Sequence, residues 1–345
     1  MIPLISILIP AYNAERWIAD TLRSALAQTW PRKEIVVIDD SSTDRTLSIA
    51  RAFESDGVSV YSQKHQGAAA ARNLALERSN GDYIQWLDAD DLLHPEKMSR
   101  QMAVIEQRKD SRLLVSGAFG TFFYRRERSK FVETLLWADL APAEWLYRKL
   151  AHDIYLQTAT WLTSRELVTA AGPWNTELAV DDDGEYFCRV LLASTGVIFV
   201  PEAKVYYRSS GSTALSYVGR SNEKKDAYWQ SMKLHMDYLL SLEQSPRVRE
   251  ACVEFMRNSL IYFYPERKDI VLEAERKALE FGGRLGAPRL SWKYIWIKSL
   301  FGWKTAKRAQ LLLPFLRGET SRLFDKVFFE LASLTPKRKT PAFVR

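Results

Sequence analysis

Three carboxylates within four positions, Asp88, Asp90 and Asp91, follow directly on the apolar run YIQWL at residues 83–87. Like charges so close repel, and a hard divalent cation, Mg²⁺ or Mn²⁺, is the partner that most readily holds them together. The plainer alternative is that Asp90 or Asp91 caps a helix in LLHPEKMSRQMAVIEQ, since Asp ahead of a helix accepts from free backbone N–H groups. A second acid pair, Asp39 and Asp40, ends the apolar run EIVVI in the same way. A third cluster, Asp181 to Asp183, precedes the helical pattern GEYFCRVLLA and forms a second chemical centre. Its bland reading is a helix amino terminus carrying acids that suit the helix dipole.

The elements that position these acids alternate in type. LISILIP reads as a strand covered on both faces, and AERWIADTLRSALAQ as an amphipathic helix. EIVVIDD repeats the strand, and SSTDRTLSIARAF the helix, with Ser41, Ser42, Thr43 and Asp44 as possible caps. VSVYSQ, then HQGAAAARNLALERS closed by Gly81, then YIQWL complete a β-α-β-α-β-α-β series. Such alternation predicts an α/β fold, an open and mostly parallel sheet with helices on both faces. Ligands bind such sheets at the carboxyl ends of the strands, so Asp39, Asp40, Asp88 and Asp90 are delivered to one edge. Neither G-x-G-x-x-G nor G-x-x-x-x-G-K-[ST] occurs, which counts against a dinucleotide dehydrogenase and a P-loop nucleotidase.

Beyond Gly120 the alternation fades into the strand-like LLVSG and TFFYR, the helical APAEWLYRKLA and the apolar TATWLTS. A turn follows at Gly172 and Pro173; VIFVPEAKVYYR reads as two short strands and SSGSTALS as a flexible loop. From about Ser221 the pattern is helical. The expected organisation is a domain over 1–215, with a first half at 1–110 and a second half at 111–215 that shapes a substrate pocket, then a basic helical region over 216–345.

Charge divides along the same line. Residues 281–345 carry 14 Lys or Arg against 3 Asp or Glu, whereas residues 1–280 carry 35 against 39. The basicity therefore concerns what the tail touches and not the acid-centred site. In SWKYIWIKSLFGWKTAKRAQLLLPFLRG, aromatic residues interleave with lysines, which suits the headgroup boundary of an anionic membrane; an ordinary helical subdomain is the alternative, and the sequence leaves both open. Two cysteines, Cys188 and Cys252, lie far apart and suggest a reducing compartment. No secretory leader or membrane-spanning stretch is visible, so the expected location is cytoplasmic, extending to the inner face of the cell membrane. The four histidines, His65, His94, His152 and His235, make no metal triad by spacing and are read as structural. His94 alone lies near the acid cluster in sequence.

Four motifs taken together, ISILIPAYN at 5–13, IVVIDDSSTDRT at 35–46, LDADD at 87–91 and DDGEYFCR at 182–189, resemble the family 2 glycosyltransferases of the GT-A fold. The resemblance covers roughly residues 3–210. It implies a nucleotide-sugar donor, with Pro10, Ala11 and Tyr12 lining the nucleobase site and Asp40 accepting from a uracil-like N–H. Asp88 would approach the ribose with Ala89 beside it in the nucleotide site, and Asp90 would hold the Mn²⁺ or Mg²⁺ that bridges the phosphates. Arg72 would add a positive charge near the donor, a surface helix arginine being the alternative. Counting back from Arg189 makes Asp183 the general base and Asp182 its neighbour. This chain carries Asp182 where the family more often has glutamate, and Asp181 adds a third acid.

The implied activity is metal-dependent, inverting transfer of a hexose-type sugar, UDP-sugar favoured, to a hydroxyl of a glycan or lipid-linked acceptor. Polysaccharide, glycolipid or lipid-linked glycan synthesis would be the setting, with an anionic membrane surface as a further partner of the tail. Two other classes compete. A non-catalytic nucleotide-binding protein with a nucleic-acid-binding tail is disfavoured because the lysines sit among aromatics, not on a recognisable nucleic-acid module. A Mg²⁺-dependent nucleotidyltransferase would release pyrophosphate where a glycosyltransferase releases a nucleoside diphosphate.

Overall fold

The computed structural model describes residues 2–209 and 221–334. Its first half runs β1 (Ile5–Ala11), α1 (Ile18–Leu26), β2 (Lys33–Asp39), α2 (Thr46–Arg51), β3 (Val58–Ser62), α3 (Ala68–Glu77), β4 (Tyr83–Trp86), β5 (Leu92–Leu93) and α4 (Lys97–Arg108). Then follow β6 (Leu113–Phe122), β7 (Lys130–Phe131), α5 (Pro142–His152), β8 (Thr163–Ser164), α6 (Arg165–Ala171), α7 (Asp182–Ala193) and β9 (Gly196–Arg208). Helices α8 (Asn222–Leu242), α9 (Pro246–Phe263), α10 (Lys268–Glu280) and α11 (Trp292–Leu334) complete it.

One sheet has the order β3-β2-β1-β4-β8, parallel through its first four strands and antiparallel at β8; a second has the order β5-β9-β6-β7. Every residue of β1 is buried, as its unbroken apolar run requires of a strand covered on both faces. Strand order reverses at β1, whose two neighbours are β2 and β4, and this reversal opens a crevice at the carboxyl edge. In register Ala11 lies opposite Asp39 and Leu8 opposite Trp86, so Tyr12, Asp40 and residues 88–91 all leave the sheet on that edge.

Local chemistry moved several element boundaries. Helix α1 starts at Ile18 because the backbone N–H groups of Asn13, Ala14 and Glu15 donate to Ser42 Oγ (3.0 Å), Thr46 Oγ1 (2.7 Å) and Asp44 Oδ2 (3.1 Å). The residues expected to cap the second helix therefore also tie two loops together, and α2 begins behind Arg45 without a side-chain cap. Gly81 does not close α3, which ends at Glu77. A Cβ there would lie 2.3 Å from Ser6 Oγ and 2.6 Å from Ser6 N, so glycine is needed for the close approach to β1. LLVSG and TFFYR are not two strands; LLVSGAFGTF forms β6 and the chain turns off after Phe122. VIFVPEAKVYYR is likewise one strand, since Pro201 removes a single ladder donor while its fixed φ still suits an extended chain.

The chain packs as two units. The first contains the described residues up to 120 together with 131–207 and 221–289; the second contains 121–130, 208–209 and 290–334. The helical region expected from 216 is thereby split. Met232, Met236, Cys252, Phe255, Met256 and Ile270 of α8 to α10 enter the same core as the sheet, and only α11 stands in the second unit. The expected boundary at 215/216 and all but the first residue of the SSGSTALS loop lie outside the described residues.

Candidate active site

Pro10 and Ala11 are buried at the end of β1, and the chain emerges at Tyr12, whose side chain is about half exposed. The Tyr12 ring lies nearly flat on the His65 imidazole, with centroids 4.4 Å apart and planes at 29°. Asp40 sits behind them, buried. Its Oδ1 accepts from Gln63 Nε2 (2.7 Å) and the Gln66 N–H (2.9 Å), and its Oδ2 from the Gly67 N–H (2.8 Å). His65 Nδ1 lies 2.9 Å from the same Oδ2. Asp40 thus shapes the 63–67 loop, and through it the aromatic pair that faces solvent.

Arg72 is not a surface arginine. It projects from α3 into the interior, where Nη2 donates to Asp88 Oδ1 and Nη1 to Asp182 Oδ2, both at 2.8 Å. Its guanidinium lies over the Trp174 ring, 4.4 Å from the centroid. Burial works against the charge, but Asp182, Asp88 and Asp183 outweigh it and raise the pKa above the ordinary arginine value. One buried cation therefore joins the acids that end β4 to the acids that begin α7, the latter 110 positions from it in the chain.

The four residues 88–91 divide their work. The carbonyl of Ala89 accepts from Thr21 Oγ1 at 2.9 Å, fixing the turn against α1. Asp91 is fully buried and accepts from Gln157 Nε2 at 2.6 Å, so it belongs to the scaffold and not to a three-acid cation site. Nor do Asp90 or Asp91 cap the next helix, which starts at Lys97 behind Glu96. Asp88 and Asp90 remain at the partly exposed surface of the turn. Among the described residues no three Asp, Glu, His or Cys side chains converge as a preformed metal cage. Mg²⁺ and Mn²⁺ commonly take only one or two carboxylates and complete their shell with phosphate and water oxygens. The donors present fit that shared mode, and His94 engages the Glu96 N–H at 3.3 Å through Nδ1.

At the other side of Arg72, Asp182 and Asp183 occupy the first turn of α7. Asp183 Oδ2 accepts from Thr158 Oγ1 at 2.8 Å and Oδ1 from the Gly184 N–H at 2.9 Å. Asp182 is pushed up to about 6, by burial first, with Asp183 and Asp88 adding to it and Arg72 opposing. Asp181 precedes them in the left-handed conformation, φ 58°, and points the other way, accepting from Ser231 Oγ on α8 at 2.5 Å. A Cβ on Gly184 would lie 2.1 Å from Asp181 Oδ1, so the glycine in DDDG is dictated by the fold of that acid. Asp181 is thus a tether for α7, leaving Asp182 and Asp183 as the acids on the Arg72 side.

Several participants gave no sequence signal. Gln157 and Thr158 lie at the start of the apolar TATWLTS stretch, yet each holds an acid of a different cluster. Trp174, in the turn after Pro173, supplies the face under Arg72. Tyr207 is pushed up by burial and by Asp91, Tyr155, Asp88 and Asp90, and Tyr155 by burial, Asp183 and Asp91, which puts both phenols among the acids. His65, read as structural, stacks on Tyr12.

Residues 6–163 match the family model described as "Glycosyl transferase family 2". That match spans just under half of the chain. Among curated relatives, the chain is 25% identical to the uncharacterized glycosyltransferase RT0329 of Rickettsia typhi over 76% of its own length and 83% of that protein. It spans less than half of two relatives at 40% identity, 43% of one from Bacillus subtilis and 41% of one from Haemophilus influenzae. S. aureus TarS 1–349, solved in complex with UDP-GlcNAc, superposes with a TM-score of 0.65 at 19% identity over 88% of this chain and 90% of that one. The mannosyltransferase PcManGT from Pyrobaculum calidifontis, solved with GDP-Man and Mn²⁺, gives 0.53 at 17% identity over 94% and 88%. At these identities the structures establish the fold alone, a GT-A sheet followed by helices, and the similarity to family 2 rests on the sequence match over residues 6–163.

Proposed function

We propose that the protein transfers a sugar from a nucleoside-diphosphate donor, UDP favoured, to a hydroxyl of a glycan or lipid-linked acceptor, with inversion at the anomeric carbon. The observation that carries this reading is Arg72, which brings Asp88 and Asp182, with Asp183 beside it, to one centre at the carboxyl edge of the sheet. Tyr12 offers the nucleobase a stacking face, and the Asp40-ordered loop with His65 borders it. Asp88, next to Ala89, meets the ribose. Asp90 is the residue that would hold Mn²⁺ or Mg²⁺, and a bound ion supplies Lewis-acid stabilisation of the departing diphosphate. Asp183 takes the acceptor proton, its carboxylate held in place by Thr158 on one oxygen and by the Gly184 N–H on the other. A single base acting opposite the leaving group gives inversion.

Calorimetric titration with UDP, GDP and dTDP, each with and without Mn²⁺, tests the donor side. UDP alone should bind, and only with metal; equal binding of all three would remove the donor assignment, and pyrophosphate as the released product would point to nucleotidyl transfer instead. The pH dependence tests the acid pair. With Asp182 held up to about 6, kcat/KM should fall as pH drops through that value, and Asp182→Asn should move the limb. Stability runs in the opposite sense. The folded state holds this proton more tightly than the unfolded chain, so the contribution of Asp182 is present at low pH and lost as pH rises from about 4 to about 6.

A further inference from the structure

One acidic residue of helix α11, Asp325, is turned inward, accepting from the backbone N–H groups of Tyr124 (2.9 Å) and Arg125 (3.1 Å) and from Arg125 Nε (2.6 Å). Those bonds, acting against burial, hold its carboxyl below the usual range. Phe328 and Phe329 of the same turns contact Arg125 and Tyr124, whereas Leu323, Phe324, Val327 and Leu331 are each more than half exposed. With Leu312 and Leu316, also exposed, Leu323, Val327 and Leu331 recur at helical spacing along about 30 Å of helix. Ahead of Gly302, whose φ of 78° breaks the helix, a shorter leg repeats the arrangement. Trp292, Ile295, Trp296 and Leu300 lie exposed on one stripe, and Lys293 and Lys298 flank it.

We infer that α11 lies on an anionic lipid surface, its tryptophans and leucines entering the headgroup boundary and its lysines and arginines meeting the lipid phosphates. An exposed apolar stripe of this length marks an interaction surface. Its neighbourhood is strongly basic, 14 Lys or Arg against 3 acids over residues 281–345, which complements an anionic bilayer. A second copy of this chain would set the same positive charge against itself, and a nucleic acid would satisfy the charge but leave the leucine stripe in water. No helix among the described residues is long and apolar enough to cross a membrane, so the helix lies in the interface plane. This inference goes beyond the transfer reaction and stands without it; combined with it, the acceptor is one presented at the bilayer.

Flotation of the full-length protein with vesicles of phosphatidylcholine alone, or mixed with phosphatidylglycerol, tests it. Partition onto the anionic vesicles should exceed that onto neutral ones by roughly tenfold or more and weaken with added salt. Leu316→Glu with Val327→Glu, at exposed positions, should lower it at least about tenfold. Lys293→Glu with Lys298→Glu should lower the preference for anionic vesicles while leaving weak neutral binding. Three results would overturn the inference: no flotation with either vesicle, apolar-face variants that float as well as the parent, or a concentration-dependent dimer abolished by Val327→Glu in a protein that does not float. UDP titration on the same preparations confirms that the first unit is intact and reports on the transfer reading separately.

Discussion

Asp183→Asn leaves nucleotide binding unchanged and lowers sugar transfer by roughly 10²- to 10⁴-fold, the range expected when a positioned general base is lost. The amide preserves the shape of the side chain; its oxygen can still accept from the Gly184 N–H while its NH2 donates to the Thr158 hydroxyl, so the first turn of α7 should keep its fold. What it cannot do is take a proton. Titration with UDP and Mn²⁺ separates the two functions from turnover. Near-normal transfer in this variant would remove Asp183 from the mechanism, and the same measurement on Asp182→Asn would then show whether the base is one residue earlier.

Arg72→Ala should be the most damaging single change to the fold of the site. Its guanidinium is the only side chain that donates to both Asp88 and Asp182 among the bonds described, and both acids are partly buried. Removing it leaves two partly buried carboxylates facing each other, a situation that typically destabilises by about 3–5 kcal/mol. Loss of the stacked contact with Trp174 adds to this. Urea denaturation should show a lowered midpoint, and UDP binding should weaken because Asp88 is no longer held. Arg72→Lys is expected to be intermediate, since one ammonium carries the charge but not the planar fork that reaches two acids at once. If Arg72→Ala folds and binds as the parent does, the two acid centres are not coupled through it.

Both variants act on an arrangement that the linear sequence shows only in pieces. The parallel sheet and the common edge for Asp40 and Asp88 follow from apolar runs that end in acids, because a strand buried on both faces has few other ways to be written. The acids before α7 were visible for the same reason, as a dense cluster ahead of a helical period. Roles within each cluster were not. Asp91 and Asp181 have the same residue type and spacing as their neighbours, yet one is buried on Gln157 and the other on Ser231. Which carboxylate of a run faces the site depends on one backbone turn, and at Asp181 that turn is a left-handed residue that nothing local announces.

The sequence by itself determined the α/β series, the acid-bearing edge and the basic character of the tail, because periodicity and local charge are written in neighbouring residues. Tertiary structure alone decided the rest. For Arg72 the sequence left open a charge near the donor or a surface helix arginine, and its buried bond to two acids appears only when Asp88 and Asp182 are brought to it from sites 16 and 110 positions away. Thr158 and Trp174 acquire their roles only by proximity. The outward face of α11 was likewise undecided in sequence, since an amphipathic helix can bury either side, and it is the inward ion pair of Asp325 with Arg125 that fixes which side remains for the surroundings.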